Sequence, residues 1–164
     1  MPKHPTIDIA SVNMQKCNAV THALLNNITN ANLILLQKLW FDQISTARKD
    51  GACKGIDVLR RVASPAWNII YPGLDKKKCP KVMAYMPKLT QSTQDTPHYT
   101  VVLHLDVCSH PAVQVLDFNF NNERWQVINF YHDIQDPSSL DTLFSLDINA
   151  ITPTLVTGDF NAHS

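Results

Sequence analysis

Thr154-Leu155-Val156-Thr157-Gly158-Asp159-Phe160-Asn161-Ala162-His163-Ser164 closes the sequence, and its reading decides what the rest of the chain can be. Thr154 to Thr157 read as a buried strand and Gly158 opens a turn. Asp159 and Asn161 then fall two apart at the strand's carboxyl end, where alternating side chains point the same way. A carboxylate and an amide so placed can share one water or one phosphate oxygen. That arrangement suits phosphoryl transfer, because the carboxylate takes or orients a proton while the amide donates to an oxyanion without adding negative charge. The same residues also make an ordinary Gly-Asp-x-Asn turn, so other stretches must decide.

The chain has 164 residues, 45% of them hydrophobic, which suits one domain with its own core. No run of eighteen apolar residues occurs, and Met1-Pro-Lys-His-Pro5 lacks the apolar stretch of a signal peptide. The expectation is an intracellular protein without a membrane span. Cys17, Cys53, Cys79 and Cys108 show no CxxC spacing and read as reduced thiols rather than zinc ligands or a disulfide framework. His98, His104 and His110 read as strand and turn residues rather than as a metal site.

The formal net charge is zero, but residues 1–88 hold 13 of the 14 Lys and Arg against five acids, whereas residues 89–164 hold only Arg124 against nine. One face able to meet a polyanion and another rich in carboxylates is one reading of that split; two solvated surfaces are the other.

In chain order, Thr6 to Val12 alternates as a strand that delivers Asn13 at its carboxyl end. Val20, Ala23, Leu24 and Ile28 mark a helix from about Cys17 to Ile28. Asn32-Leu-Ile-Leu-Leu-Gln37 is the continuous apolar run of a strand covered on both faces. Residues 42–66 are polar, basic and broken by Gly51, Gly55 and Pro65, which predicts a surface loop with a short helix around Ile56 to Val62. Short strands follow at Trp67–Tyr71, Val82–Met86, Tyr99–Leu105, Val113–Phe120 and Trp125–Tyr131. Asn121-Asn122 suits a two-residue hairpin turn. Ser138 or Ser139 caps a helix whose apolar face is Leu140, Leu143, Phe144 and Leu146. The pattern is an α/β (α+β) two-sheet sandwich with helices outside. Polar residues gather at the strand ends, the edge where ligands usually sit.

Four pieces carry a family likeness: the first strand ending Ser-Val-Asn13, the strand ending in Gln37 and followed by an aromatic, Val-Ile-Asn-Phe-Tyr131, and Gly158-Asp159-Phe160-Asn161. Together they resemble the endonuclease/exonuclease/phosphatase (DNase I-like) superfamily, and within it the apurinic-type endonuclease domain of LINE-type non-LTR retrotransposons. The likeness runs over residues 6–164 as a partial domain, with 1–5 as a short N-terminal extension. It implies Mg²⁺-dependent hydrolysis of DNA phosphodiesters, nicking a target site for retrotransposition. It further implies a reverse transcriptase domain as partner in the parent element, and the nucleus as its location.

By the same resemblance, Asn13 helps hold the magnesium site, the Tyr131 hydroxyl contacts the scissile phosphate, Asp159 orients or deprotonates the attacking water, and Asn161 donates to the phosphate. Two departures follow. The family's principal metal carboxylate, a glutamate, is here Lys38, and an ammonium cannot ligate Mg²⁺; metal binding is expected to be weak or absent. Lys38 itself is expected to be solvated or paired with an aspartate rather than to stand in for the cation. The family's later Asp-His pair has no counterpart before Ser164, so the chain reads as a fragment, incomplete at its C-terminus.

Two functions therefore stay open. One is a degenerate endonuclease domain, inactive in this chain. The other is a non-catalytic DNA- or protein-binding remnant, with Arg48, Lys49, Lys54, Arg60 and Arg61 as phosphate contacts and Lys76 to Lys78 beyond them.

Overall fold

The chain is described from a computed structural model, which covers residues 6–39, 42–45, 57–60, 62–71, 79–88, 99–104, 107–120, 122–147 and 152–161. Its centre is β2 (Leu33–Gln37), buried at every position. β2 lies between β1 (Ile9–Asn13), parallel to it, and β6 (Val82–Pro87), antiparallel, with β5 (Trp67–Ile70) completing the order β1-β2-β6-β5. Both faces of β2 need apolar side chains. Ile34 and Leu36 join Met83, Tyr85 and Leu25 of helix α1 (Asn18–Asn27) on one side. Leu33 and Leu35 join Leu116, Phe118 and Val127 of the other sheet on the opposite side. Each such side chain contributes about 1.5–3 kcal/mol by leaving water.

The second sheet has the order β10-β9-β8-β7, built from β7 (Tyr99–Leu103), β8 (Val113–Phe120), β9 (Glu123–Tyr131) and β10 (Thr154–Asp159). β8 and β9 form a hairpin with Phe120 opposite Glu123 and Asn122 at φ 65°. Helix α2 (Ser138–Ser145) covers the outer face, where Leu140, Leu143 and Leu146 meet Val113, Val115, Ile128 and Phe130. The two four-stranded mixed sheets face each other with the helices outside. Each contains one parallel β-α-β unit: β1-α1-β2 in the first, β9-α2-β10 in the second.

Several expectations need correction. Residues 42–66 hold a two-stranded antiparallel ladder, β3 (Asp42–Ser45) with β4 (Asp57–Arg60), where a loop and short helix were expected; cross-strand pairing overrides the turn-rich composition. On α1 the buried residues are Thr21 and Leu25, while Val20 is exposed, so the packed face is rotated from the expected one. No serine side chain caps α2. Asp136 performs that role instead, its Oδ1 accepting from the Ser138 N–H at 3.2 Å. Phe144 is 83% exposed and belongs to no packed face. β10 is an edge strand with Leu155 and Val156 exposed, not a buried one.

Candidate functional site

The two parallel units point their strand ends at one place. Asn13 closes β1, Lys38 follows β2, Tyr131 closes β9, and Asp159 closes β10 directly beside Tyr131 in the register. The sheets are tied there by Asn13 Nδ2, which donates to Asp159 Oδ2 at 2.5 Å. Asp159 Oδ1 accepts the Asn161 N–H at 3.0 Å, so the two oxygens are held from opposite sides. Asn161 sits at φ 43°, and its side-chain amide donates to the His132 carbonyl. One amide hydrogen remains for an outside acceptor.

Gly158 is what lets β10 come this close. It lies opposite Phe130 at φ 151°, and a Cβ there would stand 1.8 Å from the Phe130 carbonyl oxygen; no other residue fits. Phe160 then stacks at a tilt on Phe130, their ring centroids 5.0 Å apart.

Five non-glycine residues among those described adopt positive φ: Gln15, Lys16, Lys38, Asn122 and Asn161. All but Asn122 lie just beyond the ends of β1, β2 and β10. Backbone held in this sparsely populated region tends to cluster where function needs a fixed geometry. Lys38, at φ 55°, is locked on both sides: its N–H donates to the Lys81 carbonyl at 2.9 Å, and its carbonyl accepts from Lys16 N–H at 2.7 Å. Its ammonium lies 5.8 Å from the centroid of the buried Tyr131 ring, within cation–π reach. Among the described residues no carboxylate pairs with it. Lys38 is half-buried; of the two expected environments, solvated or paired with an aspartate, the pairing is not seen among the described residues.

Sequence reasoning missed the layer beneath. Gln37 Nε2 donates to Asn129 Oδ1 at 2.7 Å across the sheets, Asn129 Nδ2 donates to the Met83 carbonyl at 3.1 Å, and Gln114 Nε2 donates to the Ile70 carbonyl at 2.8 Å. All three amides are buried. The signal was present, since an Asn inside Val-Ile-Asn-Phe-Tyr is tolerated only if its amide is satisfied. Also missed was Lys81, whose Nζ donates to Asp133 Oδ2 at 3.0 Å and lies 3.6 Å from Asp136 Oδ2. The Lys81 hydrogen bond holds the Asp133 carboxyl below the usual range. Hydrogen bonds from Ser138 do the same for Asp136.

Other expected residues fall elsewhere. Arg48, Lys49, Lys54, Arg61 and Lys76 to Lys78 lie outside the described residues, as do Cys53 and His98; the Arg60 backbone ends β4. His104 and Arg124 both pair with buried Asp117, and His110 meets the Ser138 hydroxyl. A cavity of about 580 Å³, lined in part by Cys108, His110 and Thr142, borders α2. Burial pushes the Cys108 thiol up, so it is a poor nucleophile at neutral pH, and none of the residues singled out above at the strand ends lines that cavity.

No family model and no curated protein sequence matches the chain. Among solved structures, the endonuclease domain of TRAS1, a telomere-specific non-LTR retrotransposon, aligns over 97% of this chain with a TM-score of 0.52 and 14% sequence identity. The fold is DNase I-like. The chain spans 61% of the length of that neighbour.

Magnesium, which the fold family implies, can be tested against the residues present. Asp159 is the one carboxylate among Asn13, Lys38, Tyr131, Asp159 and Asn161, and both its oxygens already accept hydrogen bonds. The residue that follows β2 brings an ammonium instead of a second carboxylate. Among the described residues no group of three or more His, Cys, Asp or Glu could hold a metal ion. A hard cation that needs several oxygen ligands does not fit this donor set.

Proposed function

We propose that this chain is an endonuclease-type domain of retroelement ancestry that grips the DNA backbone at the joined strand ends, and that metal-dependent phosphodiester hydrolysis is switched off at Lys38. The observation that carries the reading is the Asn13–Asp159 hydrogen bond, which ties the ends of β1 and β10 across the two sheets. In this reading Asn161 and the Tyr131 hydroxyl donate to a phosphate, and Asp159 keeps lone pairs able to orient a water. The cation that would polarise the phosphorus and make that water nucleophilic has lost its main carboxylate. Arg48, Lys49, Lys54, Arg60 and Arg61, in the sequence of and around the β3–β4 ladder that follows β2, are proposed to extend the phosphate contacts along the duplex.

A plasmid-nicking assay in Mg²⁺ tests it. The unchanged protein should leave supercoiled plasmid intact. Lys38→Glu, which returns a carboxylate to the end of β2, should produce nicking, and adding Asp159→Ala should remove it. Nicking by the unchanged protein that Asp159→Ala abolishes would overturn the reading.

A further inference from the structure

We infer that Lys38 makes the cleft a metal-independent phosphate site, its ammonium neutralising one oxyanion of a nucleic-acid backbone where a divalent ion would otherwise sit. The inference rests on the reading above for the identity of the ligand, but its argument comes from a contrast between two lysines. Lys38 and Lys81 are backbone neighbours, joined by the hydrogen bond from Lys38 N–H to the Lys81 carbonyl. Lys81 is neutralised by Asp133 and Asp136. Among the described residues Lys38 has no carboxylate partner and lies over the face of Tyr131.

Lys38 is half-buried as a residue, and its backbone is held at positive φ and locked from both sides. Asp159, at the end of β10, accepts from Asn13 and Asn161, and among the described residues no ion pair joins it to Lys38. The neighbouring strand ends carry donors: the second Asn161 amide hydrogen, the Tyr131 hydroxyl, and Lys16, which is exposed and tied through its N–H to the Lys38 carbonyl. A cation on the same edge as donors of different type suits a tetrahedral oxyanion. Lysine serves as a point charge for phosphate, without the fork geometry that arginine brings.

Fluorescence anisotropy with a short fluorescein-labelled DNA duplex in EDTA tests this. The unchanged protein should bind without divalent metal. Lys38→Asn removes the charge with a residue that tolerates positive φ, so the fold should persist by circular dichroism. Loss of one charge-assisted contact should weaken binding about tenfold and lower the salt slope by about one. Lys38→Arg should retain most of the affinity, and Lys88→Asn, at the far end of β6, should leave it unchanged. Equal binding by Lys38→Asn and the unchanged protein would overturn the inference while leaving DNA binding in place. Binding that appears only with Mg²⁺ and vanishes in EDTA would overturn it as well. A folded protein that binds the duplex in neither buffer would sink the proposed function itself.

Discussion

The two parallel β-α-β units of this molecule use the same connection and bring their strand ends together, yet they are built differently. In β1-α1-β2 the chain starts at the sheet edge and moves inward, so its second strand is buried at every position. In β9-α2-β10 it starts inside and moves outward, so its second strand is an edge with Leu155 and Val156 exposed. The buried strand delivers a cation, Lys38; the edge strand delivers a carboxylate, Asp159. The first unit therefore supplies rigidity and charge from within the core, while the second depends on Gly158, Asn13 and the Asn161 turn to keep its end in place. Position in the sheet, rather than the connection, sets how firmly each strand-end side chain is held.

Matched leucine truncations in the two second strands should show the largest effect. Leu36 is fully buried, and Leu36→Ala should cost about 3 kcal/mol from lost transfer and residual cavity. Leu155, 41% exposed, should cost under about 1 kcal/mol on the same substitution. Urea unfolding midpoints decide. Equal losses would mean that β10 is covered and the contrast between the units is false.

The ties between the units should rank next, by depth. Asn129→Ala leaves Gln37 Nε2 without its cross-sheet acceptor in a buried site and should cost about 2–3 kcal/mol. Asn13→Ala removes a part-buried bond to Asp159 and should cost about 1 kcal/mol. A reversed order in thermal denaturation would place the main clamp at the cleft instead of beneath it.

The same contrast explains what could be read from the sequence. β2 was legible because a strand covered on both faces has to be apolar throughout, and Leu-Ile-Leu-Leu admits little else. β8 was legible at both ends, Val113 and Phe120, because its alternation meets two different cores. β10 misled because Leu-Val between threonines looks alike whether a neighbour strand is present or not; exposure at an edge is a property of topology, not of local pattern. β3 and β4 were hidden for a related reason, since a ladder between polar segments leaves no apolar signature. At the cleft, the residue types at the strand ends were visible, but their partners were not. That Lys81 takes two aspartates while Lys38 takes none among the described residues depends on which loops meet across the sandwich, and no spacing rule reports that.

This last contrast gives the smallest effect and the sharpest test. The hydrogen bond from Lys81 holds the Asp133 carboxyl below its ordinary range. A carboxyl lowered in the folded state contributes stability above its unfolded pKa, about 3.9, and loses it as pH falls through the lowered folded value. The Lys81 and Asp133 side chains are 30% and 32% exposed, so solvent screens the pair, and Lys81→Gln should cost under about 1 kcal/mol at neutral pH. That cost should shrink in acid and close once Asp133 is protonated in both proteins. Asp136 should respond less, because Ser138 supplies its principal hydrogen bonds. Lys38→Asn should behave otherwise, its stability difference flat from neutral pH into acid, since among the described residues no carboxylate pairs with Lys38. Urea titrations of both variants across that range separate the two lysines. An acid-dependent gap for Lys38→Asn like that of Lys81→Gln would reveal a carboxylate partner and remove the ground for the phosphate site.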